Sequence, residues 1–401
     1  MADLPVGEKI YGALEKSSWI RRMFEVGTAL KKEHGEENVF DLTLGNPDLD
    51  PPLEFFDTIA ALIQERKKGA HGYMPNAGYP DVLDTVGRLV SATHGVEVGG
   101  RSIVMTCGAA GGLNVVFKTI LDPGDEVIVP RPYFAEYGAY IDNHGGRMVT
   151  VDTAADFSLD VDAIDAAMTA RTRAVLINTP NNPTGKLYRE AELAALGALI
   201  DARAGTTRPV YLIADEPYRE IVYDGLEAPP ILKQCRQSIV VTSYSKSLSI
   251  PGERIGYIAV NPSCAGADTL MAGLIMCNRI LGFVNAPALM QRAVAALATA
   301  RVNTQAYTKR RDLICDGLEY AGYRFDRPEG AFYVFCKSPI PDDVAFVQHL
   351  QRYNILTVPG VGFGGPGHFR ICYCVPESVI TRAIPRFKEA LDTLPKGTAN
   401  S

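Results

Sequence analysis

The sequence predicts an α/β fold: a large domain with a mostly parallel, mixed seven-stranded sheet flanked by helices, and a smaller α+β domain after it. Three observations carry that expectation. Seven short runs rich in β-branched residues lie between Arg101 and Val260 and alternate with helical or loop stretches, the rhythm of a sheet built by crossovers. The gap from Lys246 to Arg254 is too short for a helical crossover, so the last run should lie antiparallel to the one before it. After about Ala300 the rhythm changes to longer helical segments with isolated strands.

In order, the strand runs are 102–106, 126–129, 147–151, 174–177, 210–214, 239–242 and 255–260, with helical segments such as 190–203 between them. The second domain reads as a helix over 301–321, a strand over 331–336, a helix over 342–353, a strand over 369–374 and a closing amphipathic helix. The first fifty residues hold a helical stretch around Trp19 and the turn-rich LGNPDLDPP at 44–52, with no sheet of their own. They must pack on a domain, and the smaller one is expected. The resulting division is 1–52, 53–295 and 296–401.

Composition narrows the function. Hydrophobic residues at 47% and charged residues at 21% are those of an ordinary globular enzyme. A net charge of −6 argues against nucleic acid or an anionic membrane as the main partner and favours a small-molecule substrate. The opening MADLPVGEKI carries charges where a signal peptide needs an apolar core. No apolar run reaches the roughly 20 residues of a membrane span, so a cytoplasmic location is expected. The eight cysteines form no CxxC pair and the six histidines no HExxH spacing, so neither a metal site nor a disulfide framework is expected. Cys372 and Cys374 read as small buried residues on one strand face.

Ligands of open α/β sheets sit beyond the carboxyl ends of the strands, and four strands here end in polar residues. The first runs into Cys107-Gly108-Ala109-Ala110-Gly111-Gly112 ahead of a helix. Such a turn serves phosphate binding or plain strand-to-helix packing. Another ends in Asn178-Thr179-Pro180-Asn181-Asn182-Pro183-Thr184-Gly185, whose prolines stiffen a loop that either positions a side-chain amide or caps a turn. Ile213-Ala214-Asp215-Glu216-Pro217-Tyr218 puts a carboxylate at the end of an apolar strand, costly unless a cation pairs with it. The fourth, Ser243-Tyr244-Ser245-Lys246, places a lysine among hydroxyls, with Arg254 eight residues on.

Together, Asn181–Gly185 (NNPTG), the D-x-x-Y element at Asp215 and Tyr218, and the S-x-S-K segment with its downstream arginine resemble one group. It is the fold-type I, class I/II pyridoxal-5′-phosphate (PLP) aminotransferases, which include the aspartate, alanine and aromatic aminotransferases. The resemblance runs from about Gly45 to Arg370. It implies the aspartate aminotransferase-like fold, with 53–295 as the PLP-binding domain.

By this resemblance Lys246 binds the cofactor's aldehyde as a Schiff base and then shuttles the substrate's proton. Asp215 pairs with the pyridine nitrogen, keeping the ring an electron sink, and Asn182 and Tyr218 hydrogen-bond the ring oxygen. Gly108, Ala109, Ala110, Ser243, Ser245 and Arg254 bind the phosphate, and Phe134 stacks on the ring. Tyr73 reaches the phosphate of the partner subunit, which implies a homodimer with shared active sites. Arg370 clamps the substrate α-carboxylate with a bidentate salt bridge, and Gly45 lies in the segment over the substrate. The implied reaction moves the amino group of an L-amino acid to a 2-oxo acid, with 2-oxoglutarate expected, by a ping-pong mechanism.

Substrate choice is less legible. Lys118 and Arg279 are candidate cations for a distal carboxylate. The sequence carries Ile250-Pro251-Gly252-Glu253-Arg254 where many relatives have a Thr-Gly-Trp-Arg type of segment. Other PLP enzymes of this fold, a carbon–sulfur lyase or an aminocyclopropane carboxylate synthase, would share the cofactor residues. A non-catalytic PLP- or amino-acid-sensing module is the more distant reading.

Overall fold

The computed structural model describes residues 5–15, 19–203 and 208–394. They divide into two compact units. The larger comprises 46–308 with 328–331, and the smaller comprises the described residues up to Gly45, then 309–327 and 332 onward.

The larger unit is built on seven strands: β1 (Ile103–Thr106), β2 (Glu126–Arg131), β3 (Arg147–Asp152), β4 (Thr172–Asn178), β5 (Tyr211–Asp215), β6 (Ser238–Ser243) and β7 (Gly256–Val260). Their order across the sheet is β1-β7-β6-β5-β4-β2-β3. The block from β6 to β3 is parallel. β7 runs antiparallel to both neighbours, pairing Ile239 with Val260 and Thr106 with Gly256. The short link before β7 therefore gives the antiparallel strand it predicts.

Successive residues of a strand face opposite sides, and the core follows that rule. Met105, Ile128, Val175, Leu212 and Val240 join one apolar cluster, while Val104, Val127, Leu176, Ile213 and Ile258 join another. The first face is covered by helices Pro80–His94, Glu190–Asp201 and Ala288–Ala296, through residues such as Val86, Leu196 and Val294. The second is covered by Gly108–Ile120 and Ala267–Ile280, through Val116 and Leu274. Each such buried aliphatic side chain contributes about 1.5–3 kcal/mol. Strands sealed on both faces need near-continuous apolar runs, and those runs made them visible in the sequence.

In the smaller unit, strands Val358–Pro359, His368–Cys372 and Tyr333–Lys337 form an antiparallel sheet. Helices Trp19–His34, Asp343–Gln351 and Glu377–Asp392 belong to the same unit. The early chain carries a two-residue strand, Phe40–Asp41, paired in parallel with Ile355–Leu356; so short a strand leaves no alternating pattern to read. The unit boundaries fall at Gly45 and Thr308 rather than at 52 and 295. Residues after 295 stay with the larger unit because Arg301 pairs with Glu220 at 3.2 Å and Val302 N–H donates to Ser247 O at 2.9 Å. Residues 46–52 do so because Ser249 Oγ donates to Leu49 O. No helix among the described residues is long and apolar enough to cross a membrane.

Candidate active site

Four strand ends of the larger unit bring the predicted residues to one edge of its sheet. β4 and β5 are in register there, with Asn178 opposite Asp215. The Asn178 carboxamide donates to Asp215 O at 2.8 Å and accepts from Asn182 N–H at 2.7 Å. One side chain thus fastens the asparagine loop to the strand that carries the acid. Asn181 stiffens the same loop, its side-chain oxygen accepting from Thr184 N–H and Oγ1 at 3.1 and 2.9 Å.

Asp215 is buried, and its two carboxylate oxygens differ. Oδ2 accepts a 2.6 Å hydrogen bond from Tyr137 OH, whereas Oδ1 has no hydrogen-bond partner. Burial, reinforced by the charge of Glu216 and opposed by the tyrosine hydrogen bond, pushes the carboxyl up to about 7. An acid so placed fits a cationic ring nitrogen as its missing partner. Tyr137 also meets Phe134 edge to face, with centroids 5.5 Å apart and planes at 77°.

β6 ends in Ser243, whose Oγ donates to Ser245 Oγ at 3.1 Å. The chain then makes the short helical turn Tyr244–Ser247 that carries half-buried Lys246. Tyr244 N–H donates to Ile255 O at 3.1 Å, pinning this turn to the chain entering β7. Arg254 sits in the left-handed region at φ 52°. Its guanidinium reaches the turn after β1, where a Cβ added to Gly108 would lie 2.9 Å from Nη2. Gly108 has φ 73°, so glycine is required for conformation as well as for space. It opens helix Gly108–Ile120, which no side chain caps. Its first backbone N–H groups, beside the arginine, make a cradle for a phosphate. The unpartnered acid and this cradle together fit PLP.

Two predicted residues belong to the smaller unit. Arg370 is only 2% exposed, and its Nη2 donates to Thr43 O. Its guanidinium carbon lies 4.6 Å from the Tyr333 ring centroid and 4.5 Å from that of Phe363, a sandwich that holds the fork in plane. Gly45 is a glycine for a local reason: a Cβ there would fall 1.9 Å from Tyr333 OH.

Tyr73 stands 92% exposed in the larger unit. Lys118 lies ten residues along its helix from Gly108, about 15 Å on and beyond the reach of its side chain. It faces His144, which burial and then this lysine's charge hold below the ordinary imidazole value. Arg279 is exposed in the last turn of Ala267–Ile280. Tyr137, Asn178 and Tyr333 escaped the sequence reading. Asn178 carried a signal, as an amide closing an apolar strand, while the two tyrosines read as ordinary core.

A family model described as aminotransferase class I and II matches residues 37–387. A probable aspartate/prephenate aminotransferase of Thermus aquaticus is 35% identical over 87% of this chain and 91% of that protein. An aspartate aminotransferase of Bacillus subtilis is 28% identical over 88% and 92%. Among solved structures, an amino transferase from Eubacterium rectale superimposes with a TM-score of 0.94 at 37% identity, covering 98% of this chain and 100% of that one. A Thermus thermophilus aspartate aminotransferase with maleate gives a TM-score of 0.83 at 28% identity, covering 93% and 97%.

Proposed function

The chain belongs to the class I and II aminotransferases, PLP-dependent transaminases, and from that premise we propose that it moves the amino group of an L-amino acid to 2-oxoglutarate by a ping-pong mechanism. The observation that carries the reading is the buried carboxyl of Asp215, one oxygen held by Tyr137 and the other without a partner, on a strand that Asn178 ties to the Asn182 loop. Bound there, PLP supplies an electron sink conjugated to the substrate's α-carbon.

The protein's own groups do the rest. Asp215 holds the proton on the ring nitrogen, and Asn182 and Tyr218 hydrogen-bond the ring oxygen. The N–H groups of Gly108, Ala109 and Ala110 bind the phosphate with Ser243, Ser245 and Arg254, and Phe134 stacks on the ring. Lys246 Nζ would hold the aldehyde and, as a free amine, would carry the proton removed from the substrate α-carbon. Arg370 takes the substrate α-carboxylate, and Gly45 belongs to the segment assigned to the substrate. Tyr73 serves a partner subunit's phosphate in a homodimer. Its near-complete exposure, with Phe56, Ile63, Met276 and Ile280 also exposed, supports that role.

The relatives' names make aspartate the first donor to assay. Aspartate, asparagine and phenylalanine should be run against 2-oxoglutarate, pyruvate and oxaloacetate. We expect turnover with 2-oxoglutarate and parallel double-reciprocal plots. Release of product from the amino acid alone, without any oxo-acid requirement, would instead support a lyase.

A further inference from the structure

We propose that Tyr137 is a positioning residue for the cofactor ring: its hydroxyl fixes which oxygen of Asp215 is left for the ring nitrogen, and its ring braces Phe134. The inference rests on the assignment of Asp215 to the ring nitrogen and of Phe134 to stacking. It goes beyond them by tying both contacts to one side chain that touches neither substrate nor reacting atoms.

The geometry is specific. Tyr137 is 1% exposed, in the short helix Tyr137–Asp142 on the apolar face that also packs Val129 and Ile213. Its hydroxyl meets Oδ2 of Asp215 at 2.6 Å, within the range of short, charge-assisted O–H···O⁻ bonds. With Oδ2 so engaged, Oδ1 alone is offered to the ring. Burial and the neighbouring carboxylate hold the phenol well above its usual range. The tyrosine therefore stays the donor, and Asp215 stays the acceptor whenever it is ionised. The same side chain meets Phe134 with ring planes at 77° and centroids 5.5 Å apart, so a shift of the Tyr137 ring disturbs both contacts.

Charge around Asp215 makes the bond consequential. Glu216, adjacent in the chain, repels its ionised form, and Tyr140 and Tyr218 are the other titratable groups beside this pair. Burial already holds the carboxyl near neutrality, and the tyrosine bond is what opposes it. Loss of the hydroxyl raises the carboxyl further, so that at neutral pH the protein offers an uncharged acid where a cation must be held. Raising the pH ionises the acid without the tyrosine's help.

The test is equilibrium binding of PLP to the cofactor-free protein, followed by absorbance, at about pH 7 and about pH 9. We expect Tyr137→Phe to weaken binding roughly tenfold at the lower pH and by clearly less at the higher. In an Asp215→Asn background the same substitution should add little. An unchanged affinity, an equal loss at both pH values, or an undiminished loss in the Asp215→Asn background would overturn the inference. If Asp215→Asn alone binds PLP like the parent, the assignment of Asp215 itself fails. If it binds poorly while Tyr137→Phe does not, only the role of Tyr137 is lost.

Discussion

At Gly45 a single missing methyl decides what a neighbour can be. Tyr333 OH occupies the space a Cβ would need, and the same tyrosine ring lies against the Arg370 guanidinium. Gly45→Ala therefore overpacks the arginine's support and should destabilise the protein by about 1–3 kcal/mol. Thermal unfolding checks this, and Tyr333→Phe in the Gly45→Ala background should recover part of the loss. The reason for this glycine was not legible in the sequence, where Gly-Asn-Pro-Asp reads as a turn; the backbone φ here is an ordinary one and the need is steric. Asp215 was legible as a carboxylate closing an apolar strand, a position whose cost demands a partner, whereas Lys246 and Asn182, in the turns that follow their strands, were legible only through the motifs they share with the family. Tyr137 had no such signal, since a tyrosine in a helix facing a sheet is compatible with plain core.

Elements rather than single residues hold the segment that presents Tyr73. Three side-chain amides reach its backbone: Asn278 Nδ2 donates to Asn76 O at 3.1 Å, Asn285 Nδ2 to Met74 O at 3.2 Å, and Gln291 Oε1 accepts from Tyr79 N–H at 3.2 Å. The amides come from helix Ala267–Ile280, the loop after it and helix Ala288–Ala296, so both helices fix one loop. Gln291 is fully buried, and Gln291→Leu leaves Tyr79 N–H unsatisfied at a cost of about 1–3 kcal/mol. Hydrogen exchange over 70–79 should quicken in this variant, with the sheet strands unchanged. The seven strands themselves were legible to within a few residues, six because burial forces apolar runs and the exposed edge strand Arg147–Asp152 through its β-branched residues. The unit boundaries were not, because what keeps residues 296–308 with the larger unit is an ion pair and a backbone bond made across the chain.

Across the whole molecule, a buried charge network lies next to the site. Arg219 Nη1 pairs with Glu216 at 2.8 Å and also donates to Pro229 O at 3.0 Å. His94 lies 3.4 Å from Glu216 and accepts from Ile231 N–H on Nδ1. Burial, then the charge of Arg219, lowers the His94 imidazole from 6.5 to about 3. Its neutral form is the native one, so below the unfolded value the unfolded chain binds the extra proton. This part of the stability is complete above about pH 6.5 and is lost progressively as the pH falls toward 3. Denaturant unfolding from pH 7 to pH 4 should show a steeper decline for the parent than for His94→Gln. Arg219→Ala, which strands Glu216, should cost about 3–5 kcal/mol.

The central claim is that Lys246 holds the cofactor covalently. The most direct measurement is borohydride reduction of the PLP-loaded protein followed by peptide mass spectrometry. We expect one phosphopyridoxyl group per chain, on Lys246, and none on a Lys246→Ala variant treated alike. A stable adduct on another lysine of the parent protein, or an unmodified Lys246, would contradict it.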